Sequence, residues 1–349
     1  MAMLKIYTNK TFLTEAYRKK VFPLLFDLCY LKHKGLLEYF SLVDEAKDCD
    51  VMIIPIDYAE FIKHQKAFDT LHKMSKTYHK PLWVYTAGDY GFTNSIENAY
   101  TFRLGGFKSQ LPEHTFVMPS FISDPYEKVL EYSGFVSVKK ADKPSIGFVG
   151  HAQAGLLKYT KEVVNHLKFH AKRQTNRLTA DAQTFYPSSI RRAEVLRKLE
   201  RCENLKTNFI LRNKYRGDLS TEEGKNQTEK EFFQNIYVNA YTFCIRGRGN
   251  FSVRLYETLA VGRIPILLDT DCKLPLEDSI DWNKHVVILN SQSSDSLENQ
   301  ILNFHNSLTA EEFEALQASN RQLWLKFLRR ERYFMEIYKK FVDMKEDDV

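Results

Sequence analysis

Short apolar runs rich in β-formers alternate along the chain with longer stretches of helical period. Residues 4–8 (LKIYT) precede an amphipathic stretch from Glu15 to about Tyr30, and 50–55 (DVMIIP) precede a helical segment from about Tyr58 to Tyr78. Two further runs follow at 81–86 (PLWVYT) and 115–119 (TFVMP). Runs that are apolar throughout, each trailed by a helix, are the pattern of parallel strands covered on both faces. A polar, basic stretch with a proline lies at 136–145 (VSVKKADKPS), and a fresh run starts at 145–150 (SIGFVG). The series then repeats: helical patterns at 157–170, from Ser189 to Leu199, from about Thr228 and from Ser252, with strand-like runs at 205–211, 241–245, 264–269 and 285–289. An α/β chain is predicted, with a first domain over 1–140, a second over 141–310 and a closing helical segment over 311–349.

That closing segment carries its own start signal. Thr309 stands ahead of Glu311 and Glu312, an N-cap with an acidic first turn. Phe313, Leu316, Leu323, Phe327, Phe334, Ile337 and Phe341 recur at steps of three, four or seven, so they share a helical face. Core packing is the expected role of that face.

A length of 349 residues permits two cores at roughly 150 residues per domain. Lys and Arg number 50 against 44 Asp and Glu, so the net charge is 50 − 44 = +6. That mild excess allows an anionic ligand without implying nucleic acid. Five scattered cysteines with no C-x-x-C pair argue against a disulfide framework or a zinc site. No window approaches the roughly 18 apolar residues of a membrane span, and the first residues lack the apolar core of a secretory signal. A cytoplasmic chain is expected.

Chemistry concentrates in residues 241–271, YTFCIRGRGNFSVRLYETLAVGRIPILLDTD. A strand ends at Ile245, a loop carries Arg246, Gly247, Arg248 and Gly249, and a helix opens around Asn250 to Ser252 and stops at Gly262. Glycines let the backbone approach a ligand, and the free N–H groups and dipole of a helix start favour an anion. A phosphate site follows. Arg254 and Glu257, three apart, share the helix face beside that start. Taken alone they are a surface ion pair. Behind the loop, an Arg fork matches phosphate oxygens and a carboxylate one turn on accepts ribose hydroxyls, which makes a nucleoside diphosphate grip.

Two other readings share these residues. Gly247-x-Gly249-x-x-Ser252, with Asp269 at the end of the next strand, resembles a dinucleotide fingerprint, but the third glycine is absent and two arginines crowd the turn. A dinucleotide-dependent oxidoreductase is the resulting alternative. The triplets Asp48-Cys49-Asp50 and Asp269-Thr270-Asp271 could clamp a metal, giving a metal-dependent transferase through Asp269 and Asp271, or could be ordinary Asp-rich turns.

The stretch FCIRGRGNFSVRLYETLAVGRIPILLDTDCKLPLEDSIDW resembles the exostosin-type glycosyltransferases, whose pattern runs Phe-Cys-Leu, an Arg-Gly loop, Ser-x-Arg-x-x-Glu, Gly-x-Ile-Pro-Val, Leu-Pro-Phe and Ile-x-Trp. CDVMIIPIDY, WVYTAGDYG, and SIGFVG with Arg191 downstream are similar to further segments of that family. The resemblance implies a GT-B architecture: two Rossmann-like domains facing a cleft, the donor on the second, and a long last helix crossing back to the first. It implies inverting transfer from a nucleotide sugar, usually UDP-linked, to a glycan or lipid-linked acceptor, without an essential metal or other cofactor. On this sequence the donor contacts would be Gly150, His151, Arg191, Arg246, Gly247, Arg248, Ser252 as helix cap, Arg254 and Glu257. The proline that usually precedes the Arg-Gly loop is missing, and the family's Asp-His turn reads Asp89-Tyr90 here. A non-catalytic member that binds sugar nucleotides or glycans is a further alternative.

Inverting transfer needs a base for the acceptor hydroxyl and charge stabilisation for the departing diphosphate. Strand ends supply three candidates for the base: Asp89 after 81–86, Asp57 after 50–55, and His151 after 145–150. Asp89, in a glycine-flanked turn, is the expected base, although a turn Asp bonding its own backbone has the same appearance. The lysine pairs Lys19–Lys20, Lys32–Lys34 and Lys139–Lys140 offer peripheral contact with an anionic membrane face, or are simply solvated.

Overall fold

The apolar runs become strands of two parallel sheets in the computed structural model, which describes residues 3–132, 134–212 and 221–347. Two units result: Met1–Pro119 with Thr179–Asp181 and Phe327–Val349, and Ser120–Leu178 with Ala182–Lys326. The first holds β1 (Leu4–Thr8), β2 (Phe40–Leu42), β3 (Val51–Ile53), β4 (Leu82–Tyr85), β5 (Ala99–Arg103) and β6 (Thr115–Val117), in the order β2-β1-β3-β4-β5-β6. The second holds β7 (Ser145–His151), β8 (Lys206–Arg212), β9 (Tyr241–Cys244), β10 (Ile264–Leu268) and β11 (Val287–Leu289), in the order β11-β10-β9-β7-β8. The expected α/β class with two Rossmann-like halves is therefore present. In each sheet the direction of winding reverses once, between β1 and β3 and between β7 and β9. Such reversals open a crevice outside the carboxyl ends of the two strands.

Strand composition follows from burial. All residues of β3, β9 and β10 are buried, which is why their sequences are apolar without alternation. Pro265 sits in β10 where only β9 lies alongside, since β11 pairs from Ile266 onward, so its missing N–H leaves no ladder gap on that side.

The principal helices are α1 (Gln65–Thr77), α2 (Leu156–Gln174), α3 (Ser188–Glu200), α4 (Glu222–Val238), α5 (Val253–Val261), α6 (Leu297–Ser307), α7 (Ala310–Leu323) and α8 (Arg330–Asp347). The stretch from Glu15 to Tyr30 is not one helix. Pro23 begins a single α-turn to Phe26, a π-turn follows over Asp27–Leu31, and Phe22 before the proline is extended. Thr309 closes a full capping box with Glu312, accepting its N–H at 3.1 Å while Glu312 accepts that of Thr309 at 2.8 Å. The final segment breaks into α7 and α8 at a π-turn, Trp324–Leu328, and passes into the first unit at Phe327. Its aromatics pack as expected: Phe341 lies 4.6 Å from Trp83 and 4.7 Å from Tyr100, and Phe334 lies 5.7 Å from Phe22.

The polar stretch 136–145 runs along α7 within the second unit. The Val138 N–H donates to Gln317 (2.9 Å), Lys139 pairs with Glu314 (3.0 Å), and the Lys140 ammonium donates to the Leu308 carbonyl (2.6 Å). Gly262 ends α5 at φ +75°, where a Cβ would come within 2.5 Å of the Phe135 ring.

A buried arginine organises the first unit. Arg103, 2% exposed at the end of β5, donates to Asp181 (2.6 Å), to the carbonyls of Gly105 and Tyr90, and to Thr93. Asp181 also accepts the Thr93 N–H (2.7 Å) and hydroxyl (2.9 Å). The loop after β4 is thus pinned from two sides. Removing the carboxylate strands a buried cation. Asp181→Ala is expected to destabilise the first unit by about 2 kcal/mol, allowing for the part of Asp181 that meets solvent. An unchanged urea midpoint would dismiss this anchor.

Candidate functional site

The loop that follows β9 and the start of α5 lie at the switch point of the second sheet, next to the end of β7. Ser252 occupies the N-cap position in an extended conformation, but its side chain makes no capping hydrogen bond. The first turn of α5 therefore presents its N–H groups without the side-chain cap expected of Ser252. An added Cβ at Gly247 would meet nothing within 4 Å. The backbone there borders open space that a ligand can enter.

Three guanidinium groups converge on this place. Arg254, from the first turn of α5, donates to the Val149 carbonyl of β7 (2.8 Å) and lies over the Phe148 ring (4.1 Å). Its Nε is buried with no hydrogen-bond partner. Burial lowers its pKa from the ordinary value, opposed by Cys244 and Glu257 nearby. Gly150 is explained by this arginine, because a Cβ there would lie 2.9 Å from Nη2 of Arg254. Arg246, 3% exposed, donates to the carbonyl of Arg248 (3.0 Å) and stacks over Tyr186 (4.5 Å). Arg192, from α3, donates to the carbonyls of His151 (2.7 Å) and Arg246 (3.4 Å) and lies 6.0 Å from the Phe148 ring. Like charges gathered on carbonyls and aromatic faces are the arrangement that a polyanion completes.

Of the residues expected from sequence, Gly150, His151, Arg246, Gly247, Ser252, Arg254 and Glu257 fall within this neighbourhood. Arg248 is exposed at the rim. Arg191 lies 3.5 Å from Glu194 on the same helix and acts on Tyr186 from there, while its neighbour Arg192 hydrogen-bonds the carbonyls of the cluster. The helical phase carried that signal, since Ser189, Ala193 and Leu196 are buried and Arg192 is three or four residues from two of them. Tyr186 was also missed. Its hydroxyl is buried without a hydrogen-bond partner, and burial raises its pKa against the pull of Arg246 and Arg192. Asn250 was missed as well. Its side-chain amide donates to the carbonyls of Thr270 and Asp271, both at 2.9 Å, and accepts from the Thr270 hydroxyl at 2.6 Å, bracing the loop against the turn after β10.

The Asp-x-Asp triplets hold backbone. Asp269 accepts the N–H groups of Asp271 (2.9 Å) and Cys272 (3.4 Å), and Asp50 accepts the Lys5 N–H (2.7 Å). Among the described residues there is no group of three or more His, Cys, Asp or Glu that could hold a metal ion. In the first unit, Asp89 is exposed on the turn after β4. Asp57 follows β3, at that sheet's switch point, and accepts the Ala87 N–H from the same turn (2.8 Å). Burial pushes the Asp57 carboxyl up, partly offset by backbone N–H groups.

The family model described as the Exostosin GT47 domain matches residues 28–303. No curated protein sequence matches. Among solved structures, the Anabaena Alr3699/HepE in complex with UDP-glucose is similar at 9% identity and a TM-score of 0.36, over 99% of this chain and 100% of that one. The GtfA/B complex is similar at 14% identity and a TM-score of 0.35, over 84% of this chain and 57% of that one. TarM is similar at 11% and 0.35, over 83% and 54%. The chain thus spans little more than half the length of the last two.

Two thiols flank the site. Cys244 ends β9, and the Cys272 thiol donates to the Asn250 carbonyl (3.2 Å). Burial raises the pKa of each to about 12. A raised thiol pKa stabilises the fold below the unfolded value near 9, and that stabilisation is lost as pH climbs from there toward 12. Stability is expected to fall above pH 9, and native-state alkylation at pH 8 to spare both residues. Mass spectrometry that finds either thiol labelled as fast as an unfolded control would contradict this.

Proposed function

The chain belongs to the exostosin GT47 family of glycosyltransferases, and we propose that it moves a sugar from a nucleoside diphosphate donor, UDP-linked, to a hydroxyl of a glycan or lipid-linked acceptor, with inversion and without a metal. One observation carries the reading: Arg192, Arg246 and Arg254 converge beside an uncapped helix start at the sheet's switch point. In this reading the acceptor oxygen bonds to the anomeric carbon as the bond to the diphosphate breaks, and a carboxylate takes the hydroxyl proton. The three guanidinium groups and the first N–H groups of α5 hold the charge that develops on the leaving diphosphate. Gly247 gives the donor room, Gly150 lets Arg254 reach it, Glu257 accepts the ribose hydroxyls, and Arg248 and His151 line the rim.

Asp89 is the proposed base, free to meet an acceptor on its exposed turn. Asp57 is a second reading, favoured by its place at the strand switch and by the burial that raises its carboxyl above the ordinary value. The two are separable. With Asp89 as base, Asp89→Asn abolishes transfer and leaves donor binding intact, whereas Asp57→Asn retains turnover. The opposite result moves the role to Asp57.

Thermal-shift titration with UDP, GDP and NAD, each with and without EDTA, tests the donor. UDP is expected to stabilise the protein equally in both conditions. Stabilisation by NAD alone would sink the proposal, and loss with EDTA would bring in a metal. Arg254→Ala is expected to weaken UDP binding by about 10- to 100-fold, the worth of a charge-assisted hydrogen bond, and Glu257→Ala by about tenfold. Unchanged affinity in both would remove these contacts.

A further inference from the structure

Helix α2 spans 19 residues, yet none of them is buried. Leu157 is 89% exposed, Leu156 81% and Leu167 62%, so three leucines on one helix face solvent. Leu156, Thr160, Val164, Leu167 and Ala171 follow one another at steps of four, four, three and four and form a continuous exposed stripe, with Leu157 beside it. The helix is moored by its other side. Tyr159 and His166 pack on Phe185, at 5.6 and 5.4 Å, and His170 bonds the Gln183 carbonyl at 3.0 Å. The stripe is therefore the surface left over after the helix has docked.

Charge beside the stripe says what covers it. Lys161, Lys168 and Lys172 each follow a stripe residue by one position, so they form an exposed basic row along one flank. Lys158 is the exception in this segment, paired with Glu162 at 3.2 Å. An exposed apolar band edged by lysines suits a surface that is apolar within and anionic at its face. Of the six lysines that sequence suggested for such a contact, three bond elsewhere: Lys20 pairs with Glu60 (2.8 Å), Lys139 with Glu314 and Lys140 with the Leu308 carbonyl. No helix among the described residues is long and apolar enough to cross a membrane.

We propose that α2 is a membrane-docking helix, which lies in the plane of an anionic lipid surface with Leu156, Leu157, Val164 and Leu167 among the acyl chains and the lysine row at the headgroups. The inference stands on the helix alone and is independent of the transfer reaction. It is tested by co-sedimentation of the full chain with vesicles of phosphatidylcholine alone and of phosphatidylcholine and phosphatidylglycerol in equal parts. Binding is expected to the anionic vesicles and to weaken with added salt. L157E/L167E removes the apolar insertion and K161E/K168E/K172E reverses the basic row; each is expected to lower vesicle partitioning by about tenfold or more. Neither set touches a buried side chain, so far-UV circular dichroism and UDP-induced thermal shifts should match the parent. Equal binding to both vesicle types, no binding to either, or full binding by L157E/L167E would overturn the proposal. A dimer in solution that L157E/L167E converts to a monomer would also overturn it, because the stripe would then face a second copy.

Discussion

The contact between Arg254 and the end of β7 is the constraint on which the second unit's site depends. Its guanidinium crosses from α5 to the Val149 carbonyl and rests on Phe148. That single reach ties the helix start to the strand on the other side of the switch point. It also dictates the neighbours. Glycine at 150 leaves the arginine its path, since a Cβ there would lie 2.9 Å from Nη2, and the Phe148 ring shields a cation drawn out of water. Arg192 completes the same arrangement from α3, touching the Phe148 ring and the carbonyls of both flanking segments. The placing of the guanidinium groups and the geometry of the loop are thus one property.

The same cluster shows how the fold carries charge out of water. Burial lowers the pKa of Arg254, and Glu257 nearby opposes that shift. Backbone carbonyls and ring faces give Arg192, Arg246 and Arg254 further support. In the transfer proposed for this chain, a bound diphosphate adds its own charge-assisted hydrogen bonds to that set and so stabilises the second unit.

The architecture was legible because parallel strands buried on both faces must be apolar throughout, and 50–55, 145–150, 241–245 and 264–269 declare themselves that way. β2 and β5 escaped, being three residues long in one case and ending in Arg103 in the other. The expected helix over 15–30 failed at Pro23, a local rule that the amphipathic pattern masked. At the site, the loop and α5 were visible because glycine, arginine and a helix start are contiguous. Arg192 and Tyr186 were not, since they arrive from α3 and the segment before it through tertiary packing. The Arg103–Asp181 anchor joins residues 78 apart in sequence, and nothing local announces it.

How the leaving group is neutralised follows from what each group already does. Asp269 accepts both backbone N–H groups on one carboxylate oxygen, within the turn that Asn250 braces, and the loop bearing Arg246 rests on that same brace. The guanidinium groups are likewise held by backbone. Their carbonyl partners fix them in place before any ligand arrives, and preorganised charge stabilises a developing anion without reorganising at the moment of bond cleavage. In the transfer proposed for this chain, the cationic work falls to side chains whose positions the fold has already set.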